Sequence, residues 1–135
     1  MSARFLLASL LLSTAASAAV AQTSEGKFRL ECTSLSKPAP PMPKFVIDVN
    51  LDLMSYFSGV GGLDEVDHFD KSEIVFRRHG CDPHGLPCFT TERFDRQSGS
   101  LYFSDNRDGQ PNATCSVEPA AADFRATSKY IERIN

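Results

Sequence analysis

The 135 residues carry 14 lysines and arginines against 17 aspartates and glutamates, a net charge of −3. Such mild acidity argues against a nucleic-acid or anionic-membrane surface. A chain of this length holds one domain and hardly two.

The first 21 residues stand apart from that domain. Arg4 supplies a positive start, Phe5 to Leu12 an apolar core, and Ala15 to Ala21 a run of small residues. Together they predict a signal peptide over residues 1–21, with Ala19-Val20-Ala21 as the cleavage site. Its apolar core is too short to span a bilayer, so no membrane insertion is expected after cleavage. The expected location is periplasmic or secreted. Removing Arg4 with the leader leaves 22–135 as a single β domain, 13 basic residues against 17 acidic, net −4.

All four cysteines lie downstream of the leader, and an even count in an exported chain reads as disulfides. Three pairings are possible. The tight loop Cys81-Asp-Pro-His-Gly-Leu-Pro-Cys88 favours Cys81–Cys88. Cys32 and Cys115 would then join the first and last strands.

Lys27 to Thr33 alternates polar and apolar, which puts Phe28, Leu30 and Cys32 on one buried face. The proline-dense stretch Lys37 to Lys44 cannot donate ladder hydrogen bonds and reads as a stiff connector. Val46 to Met54 reads as a strand with Ile47, Val49, Leu51 and Leu53 inward. Asp48, Asn50 and Asp52 then lie on a solvated face, where Asn50→Asp should barely matter. Ser58 to Gly62 is a glycine-rich turn without the ending of a phosphate loop. Leu63 to Asp70 reads as an exposed acidic loop, with a helical turn or an irregular edge strand as the other options. Lys71 to His79 resumes a strand with Ile74 and Phe76 inward. Phe89 to Phe103 predicts a hairpin, turned by Asp95-Arg-Gln-Ser-Gly99 with Gly99 at positive φ. Thr114 to Val117 is a closing strand. Residues 119–135 read either as a short helix over 120–125 or as a strand anchored by Phe124, Tyr130, Ile131 and Ile134.

His79, Cys81, His84 and Cys88 have metal-ligand chemistry, but not the usual zinc-finger spacing, and disulfide formation would remove both thiolates. Ser104-x-Asn106-x-Asp108-Gly109 imitates a calcium loop, yet its twelfth position is Cys115 instead of a bidentate glutamate. No nucleophile-and-base signature appears. Hence no catalytic residues, no metal and no cofactor are expected.

Ser98-Gly-Ser-Leu-Tyr102 has the form S-G-x-x-Y, and with the Cys32…Cys115 framing it resembles the bacterial C-type lysozyme inhibitor family. The resemblance implies a small exported β-barrel with a disulfide near its ends. It also implies a partner contact through Ser98, Gly99 and Tyr102, the serine lying on a loop that enters the lysozyme cleft. The family's second motif, a lysine-glycine loop after an aromatic residue, has only Arg107-Asp108-Gly109 as a distant counterpart.

The sequence therefore predicts an all-β, disulfide-stapled antiparallel meander closed into a barrel or compact sandwich. The expected function is non-catalytic binding of an unknown protein or small-molecule partner, with lysozyme inhibition as the alternative.

Overall fold

The computed structural model describes residues 26–36, 43–59, 61–104, 106 and 109–131, the side chain of Cys81 excepted. The expected leader at 1–21, most of the proline connector and the last four residues lie outside that range. Eight strands form a closed antiparallel barrel in chain order. They are β1 Lys27–Ser34, β2 Lys44–Asn50, β3 Ser55–Ser58, β4 Gly62–Phe69, β5 Glu73–Cys81, β6 Pro87–Asp95, β7 Ser100–Phe103 and β8 Ala113–Pro119. The barrel closes where β8 pairs with β1, Cys32 opposite Cys115, and a disulfide joins those two residues.

Alternation fills the interior. Phe28, Leu30, Ile47, Val49, Val66, Ile74, Phe76, Phe94 and Leu101 form one buried cluster, with Tyr56 edge-on to Phe76 at 4.8 Å. An eight-stranded barrel is narrow enough for its own side chains to fill, and these residues pack together inside it. Towards the β5–β6 turn the inward positions become polar. There Arg78 meets Glu92 at 3.2 Å, and burial raises both the Glu92 carboxyl and the Tyr56 phenol above their ordinary values.

Three expectations are corrected. The strand read over Val46 to Met54 stops at Asn50. Leu51–Met54 is a tight turn, held by Leu53 N–H donating to Asn50 Oδ1 and by Met54 at φ 51°. Apolar alternation continued through the turn and concealed it. Leu63 to Asp70 is not an exposed acidic loop but β4, with a bulge between Val66 and His68. Its Val66 is buried, and its outward acids Glu65 and Asp67 meet Arg77 on β5.

The third correction concerns the exterior of β1–β3. Asp48 and Asn50 are 2% and 1% exposed. Residues 120–131 form neither helix nor strand; they run as a strap across that face. Arg125 N–H donates to Asp48 Oδ2 (2.9 Å), and Asn50 Nδ2 donates to the Ala126 carbonyl (2.8 Å). Arg29 ties Asp48 to Asp123 on the strap, and Arg125 lies over Phe57. Asp48 and Asn50, expected in water, are instead the anchors of a cover, whereas Asp52 is exposed as expected.

Candidate binding face

The turn between β6 and β7 is built on Asp95. Its Oδ1 accepts from the N–H groups of Gln97 (2.9 Å) and Ser98 (3.1 Å), and these bonds, Ser98 first, hold its carboxyl below the ordinary value. Ser98 is exposed, and its Oγ accepts from Ser100 N–H at 3.2 Å. Gly99 takes φ 74°, as expected of this position. A Cβ there would come within 2.7 Å of the Cys115 carbonyl, while the Gly99 carbonyl accepts from Cys115 N–H. Glycine is thus required by the close approach of the turn to β8 as well as by its conformation.

Tyr102 lies elsewhere, on the barrel exterior. The cross-strand register aligns Val75, Arg93 and Tyr102, and the Arg93 guanidinium sits 4.3 Å from the centre of the Tyr102 ring. With Thr91, Phe103, Ser104, Asn106 and Gly109, these residues border an open groove of about 410 Å³. Ser98 and Gly99 are therefore held together at the turn, while Tyr102 belongs to the groove wall. Arg107 and Asp108 lie outside the described residues. The groove could not be read from the sequence, because Val75, Arg93 and Tyr102 converge only through the register of three strands.

A charged network links β4 and β5, built around the buried Asp64. His79 Nδ1 is 2.6 Å from Asp64 Oδ1, His79 Nε2 is 3.6 Å from Glu65, and Tyr130 of the strap stacks on the imidazole at 4.7 Å. His68 meets Asp67 at 2.6 Å; that hydrogen bond raises the imidazole and lowers the carboxyl. Among the described residues no three such side chains converge as a metal ion would require.

Among the described residues Cys88 has no disulfide partner. The ladder sets Cys88 opposite Gly80, and Cys81 opposite Pro87. The expected Cys81–Cys88 bond depends on a side chain outside the described set. No described helix is long and apolar enough to cross a membrane.

Fold and face together define a small closed antiparallel barrel with a packed core and, among the described residues, an open groove on the exterior of β5–β7. Comparison of the chain with protein-family models, curated proteins and solved structures returned no match.

Proposed function

We propose that the chain is an exported, non-catalytic binding module that engages a protein partner through the exterior of β5–β7. One observation carries this reading: the interior is filled and the strap covers β1–β3, while the β5–β7 exterior keeps an open groove with an arginine stacked on an aromatic ring. Arginine and aromatic residues are the usual anchors of protein interfaces. The leader at 1–21 and the Cys32–Cys115 disulfide support export to an oxidising compartment.

The test is capture from native envelope extract by immobilised mature protein and by its Arg93→Glu/Tyr102→Ala variant. A partner retained by the first and lost by the folded second is expected. Equal retention by both would remove the groove from the reading.

Lysozyme inhibition is the second reading, supported by Ser98 at an exposed hairpin tip on a barrel whose ends are joined by a disulfide. The net acidity suits a basic enzyme as partner. Titration into a C-type lysozyme assay, with Ser98→Ala beside it, decides this: sub-micromolar inhibition lost on substitution would establish it over the first.

A further inference from the structure

β6 spans nine residues, yet β7 accompanies only three of them, Glu92, Arg93 and Phe94. At Phe103 the chain turns away. Asn106 N–H donates back to the Phe103 carbonyl at 3.0 Å, and the Asn106 amide bonds the side chain of Asn112. Among the described residues, Pro87–Thr91 therefore have a ladder partner only on β5.

Backbone alternation says which groups face the open side. Gly99 and Leu101 direct their carbonyls to Cys115 and Asn112. Tyr102 therefore points its backbone groups at β6, to Arg93. Two residues at a time along β6, the same side carries the N–H and C=O of Phe89 and the ring nitrogen of Pro87. Proline occurs in strands where its missing N–H faces no partner, and Pro87 fits that rule.

An unpaired edge is a template for an added strand. Beside this one, Phe89 is 55% exposed, and the groove opens where β7 departs. Charge narrows the occupant. Arg93 stacks on Tyr102 with no described carboxylate at ion-pair distance, and a guanidinium fork accommodates a carboxylate bidentately. A second copy, paired edge to edge, would not supply one: the outward row from 87 to 93 is Pro87, Phe89, Thr91 and Arg93.

We propose that the open edge of β6 at Pro87–Thr91 receives an extended peptide segment whose acidic side chain pairs with Arg93 in the groove. This rests on the binding-module reading and adds the class of partner.

The probe is a capped nine-residue peptide of alternating threonine and valine with a central glutamate, titrated against isotope-labelled mature protein. Its lysine counterpart serves as control. The expected result is a shift and slowed exchange at the Phe89 amide, with the lysine peptide about fivefold weaker, as befits one solvent-facing ion pair. Arg93→Glu should reverse that preference. Phe89→Pro deletes the free-side donor without touching the β5 ladder and should abolish binding while the barrel stays folded. An unmoved Phe89 amide, or a glutamate preference that survives Arg93→Glu, overturns the proposal. Protection of Phe89 on concentrating the protein alone overturns it in favour of a second copy. Envelope capture that survives Phe89→Pro would remove the edge and leave the binding-module reading standing.

Discussion

Val49 and Asn50 are adjacent on β2 and equally hidden, one inside the barrel and the other beneath the strap. Val49→Asp places an unpaired carboxylate among apolar side chains and should unfold the domain. Asn50→Asp removes the donor to Ala126 and leaves a charge under the cover. It should cost about 2–3 kcal/mol, seen as a lowered midpoint in thermal or denaturant melts. A surface residue would not respond this way. Alternation assigned Val49 correctly because period two identifies the core face directly; it called Asn50 wet because no pattern in β2 reveals what a distant segment will lay across it.

Asp95 gives a pH test at the same scale. Its folded pKa lies below the ordinary 3.8, owing to the Ser98 and Gln97 N–H bonds. Its contribution is therefore fully present above about pH 4 and lost as pH falls through the depressed value. The Gln97 and Ser98 amides should shift together below pH 3.8 and ahead of global unfolding; Asp95→Asn should flatten that titration. This turn was legible because Asp, Ser and Gly each have a local role in it.

The strap is the element with the least sequence signal. Residues 120–131 have no apolar period, so they suggested helix and strand alike. Their role appears only in partners nearly eighty residues away: Arg125 with Asp48, Ala126 with Asn50. Truncation after Ala121 removes both bonds, the buried Ala126 and the stacking of Tyr130 on His79. It should cost about 2–4 kcal/mol and raise amide exchange in β2 and β3 more than in β6. Uniform exchange across the barrel would mean that the strap supports the whole fold. β4 was obscured for another reason: its acids mask a strand until Arg77 is seen opposite them.

At the scale of the molecule, the disulfide and the β1–β8 ladder close one circuit. Cys32 and Cys115 are 83 residues apart, and crosslinking a loop of that length stabilises by about 4–5 kcal/mol in the chain-entropy model. Reduction, or Cys32→Ser/Cys115→Ser, should lower the denaturation midpoint accordingly without opening the barrel at room temperature. Loss of near-ultraviolet circular dichroism in the reduced protein at rest would instead make the bond a condition of folding.

The same closure sets an order of events during synthesis. β1 is the first strand to emerge and β8 the last, so one flank of β1 waits until residue 119 has been made. A chain that folded as it emerged would be, throughout that interval, an open sheet with a growing unmatched rim, competent for adventitious pairing. The step that removes the hazard joins residues far apart along the chain, the kind of contact that forms slowly. Holding the chain extended until its last segment is released would spare it that exposure. A slow translation pause before Ala113 would prolong it.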